Sequence, residues 1–333
     1  MNRKKICIAG VTGLVGANLA KKALSKGYAV NGTARNISDI DKVKYLHNFP
    51  NSQNLALFRA DMINSRTFDQ ALEGTNTLFI CCLIPLYKSP SGIPANQLSE
   101  EEGRNSIMAP TIEGCLNILH SAKRNKVKTV VICSSTASTN PNEQIDKKNE
   151  IDHWSDESTQ IENKKFTSAA KTVMEKRAIK FCEENKIRLC IFLPTGLYGE
   201  LLIPEHLKHN PYSWLNSLLN GGEPRHATCP DDSISMIHTE DLAELILAAS
   251  EHDVFEGRFF GVYESLHWED IYRECETQIP DMVKPIYPPT RTAKPTKFDF
   301  SRRNSLGVTL RDFPTMLAQT IDSLKQFNLK DSQ

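Results

Sequence analysis

The segment Gly10-Val11-Thr12-Gly13-Leu14-Val15-Gly16 constrains this chain most, because it joins an apolar run, Lys5 to Gly10, directly to a helical pattern, Val15 to Lys26. A strand that turns within a few residues into a helix aims the helix's first amides and the positive end of its dipole beyond the strand, where an anion can sit. Gly10 permits the tight turn, Gly13 lets a pyrophosphate approach the backbone, and Gly16 lets helix and strand pack closely. Thr12, Leu14 and Val15 are the remaining contacts of such a turn. The spacing is GxxGxxG, and its setting between strand and helix makes a weak pattern specific. The plainer alternative is a glycine-rich turn with no ligand.

Beyond this turn, short β-like runs alternate with longer helical patterns. Strands are predicted at 28–35, 55–59, 77–83, 129–134 and 188–192, with helices at 38–46, 65–72, 107–125 and 164–185 between them. That alternation predicts an α/β fold, a Rossmann doubly wound parallel sheet of seven strands with helices on both faces. After Pro194 the pattern loosens, which predicts a smaller C-terminal substrate-binding lobe. Residues 1–195 form the first unit, 235–262 return a helix (241–251) and a strand (257–263) to it, and 196–234 with 263–330 form the lobe. The proline-rich stretch 279–297 reads as an extended loop.

Composition narrows the ligand class. Lys plus Arg and Asp plus Glu balance at 40 each, so no net field draws the chain to nucleic acid or anionic lipid, and a small molecule is the expected partner. No segment approaches the length of a membrane span, and the basic start Met1 to Lys5 has no secretory h-region behind it. The nine cysteines are scattered without metal-ligand spacing, which suits reduced thiols in the cytoplasm and no metal. Cys81 and Cys82 are adjacent in a predicted strand and should point to opposite faces.

At the end of the second strand, where an acid would hold a ribose 2′-hydroxyl, stand Thr33-Ala34-Arg35-Asn36, with Lys42 nearby. Cations there suit a 2′-phosphate, so NADP(H) is expected over NAD(H). Asp61 and Met62, ending the third strand, stand where an adenine could be met.

These features together resemble the dihydroflavonol-4-reductase and cinnamoyl-CoA-reductase branch of the extended short-chain dehydrogenase/reductases, over most of the chain. The helix Ala109 to Asn117, with Gly114 and Asn117 as its markers, the strand Val130 to Ser135, the loop Trp154-Ser155-Asp156, the segment Leu193-Pro194-Thr195-Gly196-Leu197-Tyr198-Gly199, the motif Ser235 to Ala243 and Leu306-Gly307 all match. The resemblance implies that Cys82, Ser134, Pro194, Gly196, Leu197 and Lys171 line the cofactor, that Ser135 is the active-site serine, and that a homodimer through two long helices is common among such proteins. His238 and Asp241 fit a structural role at a strand-to-helix junction.

The family's chemistry uses Ser, Tyr and Lys together, with Tyr four residues before Lys on one helix face. Here Lys171-Thr172-Val173-Met174-Glu175-Lys176 sets the register with Lys171 as the lysine, and the tyrosine position is Thr167. Its hydroxyl is shorter than a phenol and a poorer proton donor. Other candidate donors are Tyr198, which adjoins the nicotinamide segment, Tyr87 and His153. Three readings follow: a reductase or dehydrogenase of a small carbonyl or alcohol with a rerouted proton, a non-redox isomerase, lyase or cyclase, or a dinucleotide-binding regulatory module. Tyr212, Trp214 and Leu218 either line an apolar substrate pocket or pack the lobe.

Overall fold

The computed structural model describes residues 4–331; Met1 to Arg3 of the basic start lie outside them. In chain order the strands and the longer helices are β1 (Lys5–Ala9), α1 (Leu14–Ser25), β2 (Ala29–Ala34), β3 (Leu55–Arg59), β4 (Thr77–Ile80), α2 (Ala109–Arg124), β5 (Thr129–Cys133), α3 (Phe166–Glu184), β6 (Arg188–Pro194), β7 (Leu197–Tyr198), α4 (Tyr212–Leu219), β8 (Ser233–His238), α5 (Thr239–Glu251), β9 (Gly257–Gly261), β10 (Glu264–His267), α6 (Trp268–Gln278) and α7 (Phe313–Asp331).

Seven strands form one sheet in the order β3-β2-β1-β4-β5-β6-β9, and all six pairings are parallel. The chain builds outward from β1 in one direction and from β4 in the other, so the order reverses between β1 and β4. A crevice for a ligand opens at such a point, outside the carboxyl ends of the strands. Both faces of the sheet are covered, as strands this uniformly apolar require. Leu78, Ile80, Val130 and Ile132 pack beneath α2 and α3, while Ile6, Ile8, Val131 and Phe192 pack beneath α1 and α5.

Two expected helices are shorter than their patterns. Residues 38–46 hold a four-residue helix, Ile40–Val43, that tightens into a 3-10 turn, and residues 65–72 begin as a 3-10 turn, Ser65–Phe68, that opens into a four-residue helix, Asp69–Leu72. The fourth strand stops at Ile80, three residues early, because the chain curls where the amide of Ile84 donates to the carbonyl of Cys82 at 2.9 Å. The two adjacent thiols still part company: Cys82 packs with the α2–α3 core and Cys81 with the α1–α5 core.

The lobe has its own sheet, β10-β8-β7, in which β8 runs antiparallel to β10 and parallel to β7. Because β8 pairs there, the return to the main unit consists of α5 and β9. Tyr212, Trp214 and Leu218 are buried in the lobe's core with Tyr272, Phe313 and Leu317. Residues 279–297 contain no helix and no strand.

Candidate active site

The glycine turn has the geometry its spacing implied. Gly10 has a φ of +86°, and a Cβ there would lie 2.7 Å from the Cβ of Cys82; a Cβ on Gly16 would lie 2.1 Å from the carbonyl oxygen of Gly10. Both positions are closed to any side chain. Gly13 differs, since a Cβ there would meet nothing nearer than 3.5 Å. Gly13 is the residue that caps α1, and among the described residues no side-chain bond caps that helix. The turn is filled on the strand side and clear on the side a pyrophosphate would occupy. Leu14 packs into the lobe's core and Val15 into the core beneath α1, and Thr12 precedes both in the turn.

The far end of the crevice carries the residues expected for the adenosine. Arg35 follows β2 and is exposed, while Lys42 is exposed and pairs with Asp39 at 3.1 Å. The carboxylate of Asp61 accepts from the amide of Ile63 at 3.1 Å. Its turn is held by Asn117, whose Nδ2 donates to the carbonyl of Met62 at 2.9 Å, and Gly114 leaves room for the Met62 thioether, which a Cβ would meet at 2.8 Å. Arg35, Asp61 and Lys171 all act electrostatically on the thiol of Cys82, and burial pushes that thiol up to about 12. Cys82 is thus a packing centre for the crevice and no nucleophile.

On α3, Thr167, Lys171 and Glu175 follow one another at intervals of four and share a face. Each is engaged. The hydroxyl of Thr167 donates to the carbonyl of Leu86, the ammonium of Lys171 donates to the carbonyl of Leu83, and Glu175 accepts from the hydroxyl of Ser134. Lys171 is 3% exposed. Burial lowers its pKa, opposed by Cys133, Glu175, Cys115 and Cys82 around it. Ser135 follows β5, and its Oγ accepts from the amide of Ala137 at 3.2 Å, which leaves the hydroxyl proton free to be donated.

Reading the sequence missed the group that fixes this serine turn. Arg258 on β9 pairs with Glu175 at 3.0 Å, both buried, and lies 3.5 Å over the ring of Trp154. It also donates to Ser138 Oγ at 2.8 Å and to the carbonyl of Glu150 at 3.0 Å. Ser155 adds a bond from its Oγ to the carbonyl of Ala137 at 2.8 Å, and Asp156 caps the helix Glu157–Glu162. A charged residue inside the apolar run Gly257-Arg258-Phe259-Phe260, and Glu175 one turn beyond Lys171, were the available signals.

The other candidate donors are dispersed. Tyr198 is buried in the lobe's core, edge-on to Phe313 at 5.6 Å, and burial pushes its phenol well above the usual range. His153 accepts at Nδ1 from the amide of Asn149 at 2.8 Å. Tyr87 is 69% exposed, next to the residue that holds Thr167. Pro194 ends β6, and Gly196, with a φ of +55°, lets Ser235 approach so closely that a Cβ would sit 2.2 Å from its carbonyl oxygen. Leu197 pairs with Ile237 across β7 and β8. His238 caps α5 and so fixes the strand-to-helix junction, whereas the carboxylate of Asp241 accepts from the amide of Arg311 at 2.7 Å and fastens the start of α5 to that distant segment.

A parallel sheet of this order, a glycine turn at its switch point and a lysine and serine beside that turn define a dinucleotide-binding short-chain dehydrogenase/reductase fold. The chain belongs to the NAD dependent epimerase/dehydratase family, whose pattern residues 6–260 match, on its dihydroflavonol-reductase branch. It is 28% identical to dihydroflavonol 4-reductase of Callistephus chinensis over 96% of this chain and 86% of that one. It is also 28% identical to tetraketide alpha-pyrone reductase 1 of Arabidopsis thaliana, over 96% and 95%. The structure superposes on yeast methylglyoxal/isovaleraldehyde reductase complexed with NADPH at a TM-score of 0.78, with 19% identity, over 98% and 99% of the two chains. Among the described residues no helix is long and apolar enough to cross a membrane.

Proposed function

We propose that this protein is an NADP(H)-dependent oxidoreductase-like enzyme of the cytoplasm, acting on a small organic carbonyl or alcohol through a site that lacks the usual tyrosine. The observation that carries this reading is the glycine turn at the switch point of the sheet, closed at Gly10 and Gly16 and clear at Gly13, with Arg35 following β2 and Lys171 bonded to the loop after β4. Dinucleotide fits these residues: Gly13 leaves a cradle clear, the first amides of α1 have no side-chain cap, and Arg35 offers a forked cation for a 2′-phosphate. When bound, NADPH would supply a hydride to the substrate carbonyl. Ser135 would donate its hydroxyl proton in a hydrogen bond to the carbonyl oxygen, and Lys171, with two N–H donors left beside its bond to Leu83, would orient the nicotinamide ribose. Proton delivery has to come from water or from a group such as Tyr87, because Thr167 is a weak acid whose hydroxyl is already committed to Leu86. Support also comes from relatives named as reductases and from nine unpaired cysteines. The test is loss of NADPH absorbance against a panel of carbonyl compounds; turnover with any member supports the reading.

A second reading is favoured by one observation. The carbonyls of Leu83 and Leu86 occupy both the lysine and the residue in the tyrosine position, an arrangement suited to an isomerase, lyase or cyclase without net redox change, or to a binding module. Cofactor binding with substrate turnover and no change in NADPH absorbance would favour a non-redox enzyme, and binding with no turnover a module.

A further inference from the structure

Lys171 stands on α3, while Ser135 opens the 3-10 turn Thr136–Ser138 after β5. Three ties join that turn to the lysine's own helix. Before the serine, the hydroxyl of Ser134 donates to Glu175, four residues beyond Lys171. After it, Thr172, the residue next to Lys171, donates from Oγ1 to Oε1 of Gln160 at 2.9 Å, nearer than the carbonyl of Ser168 at 3.3 Å. Gln160 in turn donates from Nε2 to the carbonyl of Ala137 at 3.0 Å, and the amide of Ala137 is the group that donates to Ser135 Oγ. The third tie runs through Arg258, which pairs with Glu175 and donates to Ser138 Oγ at 2.8 Å, while that hydroxyl donates to the carbonyl of Ser135 at 3.1 Å. Glu175 and Thr172 are both 0% exposed. Stability alone does not call for them: taking a carboxylate or a hydroxyl out of water is costly, and apolar residues of similar volume would pack helix against sheet as well or better. An apolar residue cannot supply direction, since a hydrogen bond fixes both distance and angle.

We propose that Glu175 and Thr172 are positioning residues, which hold the Ser135 hydroxyl at a fixed place relative to the Lys171 ammonium by gripping the serine turn from the lysine's helix. This rests on the oxidoreductase reading and deepens it: the group that meets the substrate oxygen and the group that meets the nicotinamide ribose move as one unit. Glu175 grips the turn through Ser134, and Thr172 grips it through Gln160. Neither positioning residue touches substrate or cofactor. Ser134→Ala cuts the first grip and leaves the Glu175–Arg258 pair whole; Thr172→Val cuts the second and keeps the side chain's shape.

The test joins amide hydrogen exchange of the intact chain with steady-state reduction of the carbonyl panel by NADPH. In the doubly substituted chain, Ser134→Ala with Thr172→Val, the amides of Ala137, Ser138 and Thr139 should exchange about tenfold faster or more, while those of β5 and β6 are unchanged. With the carbonyl compound that the wild type reduces, kcat should fall about tenfold to a hundredfold as the hydroxyl leaves its place, and KM for NADPH should stay within about twofold. An unchanged kcat overturns the inference, as does a loss accompanied by equally faster exchange throughout β5 and β6, the mark of a merely structural role. The wild type supplies a check that needs no variant to fold: amides of Ala137 to Thr139 that exchange far faster than those of β5 show a turn that nothing holds, and overturn the inference. A wild type that binds NADPH and reduces no member of the panel refutes the oxidoreductase reading, and the grip of α3 on the turn then stands or falls on the exchange data alone.

Discussion

Lys171 gives its ammonium to the carbonyl oxygen of Leu83, a residue 88 positions earlier in the chain. One helical turn away, Thr167 gives its hydroxyl to Leu86 by the same kind of bond. The loop after β4 is therefore fastened at two points to the helix face that carries the family's chemistry. With two N–H donors left on its ammonium, Lys171 can take a ribose while it holds Leu83.

This relationship makes the loop a reporter of cofactor binding. Amide hydrogen exchange over residues 83–87 should fall when NADP(H) is added and gives Lys171 a second partner, while exchange in β5 and β6 stays slow. Lys171→Met should weaken NADP(H) binding and, because the carbonyl of Leu83 loses its donor, lower stability by about 1–3 kcal/mol.

Thr167→Tyr restores the acid in its usual register, one turn before Lys171. The variant should raise NADPH-dependent carbonyl reduction by about 100-fold or more, the usual scale of general-acid catalysis. Reduction that stays at the wild-type level in a variant that still binds cofactor would refute the assigned register.

Arg35→Ala should cut affinity for NADP(H) by about tenfold or more and leave affinity for NAD(H) within about twofold, because a forked cation on a 2′-phosphate has no counterpart on a hydroxyl. Titration with the two cofactors checks this directly.

The Glu175–Arg258 pair is buried on both sides, so removing one partner strands the other. Arg258→Met should destabilise the fold by about 3–5 kcal/mol, and Glu175→Gln together with Arg258→Met should recover much of the loss. Denaturant unfolding of the single and double variants measures it.

Burial lowers the pKa of His206 from 6.5 to about 4. Between those values the unfolded chain binds a proton that the folded chain refuses, so stability falls as pH drops through that window and is regained as pH rises. The loss should reach about 3 kcal/mol at most. Because His206→Phe has no such proton, its stability relative to the wild type should improve by that amount between pH 7 and pH 4, measured by denaturant unfolding without cofactor.

Much of the fold was legible because its causes are local. Period-two and helical patterns, the spacing of Gly10, Gly13 and Gly16, a cation directly after β2 and the spacing of four from Thr167 to Lys171 all act within a turn or two of their own backbone, so sequence alone determined the parallel sheet, the glycine turn at the end of its first strand and the absence of a phenol one turn before the lysine. Only the tertiary structure decided what the buried polar groups touch. Leu83 for Lys171, Arg258 for Glu175 and Trp154 beneath Arg258 are partners from distant loops and strands. A polar side chain removed from water takes whichever donor or acceptor packing brings within about 3 Å, and that proximity is a property of the assembled layers, written in no short stretch of the chain.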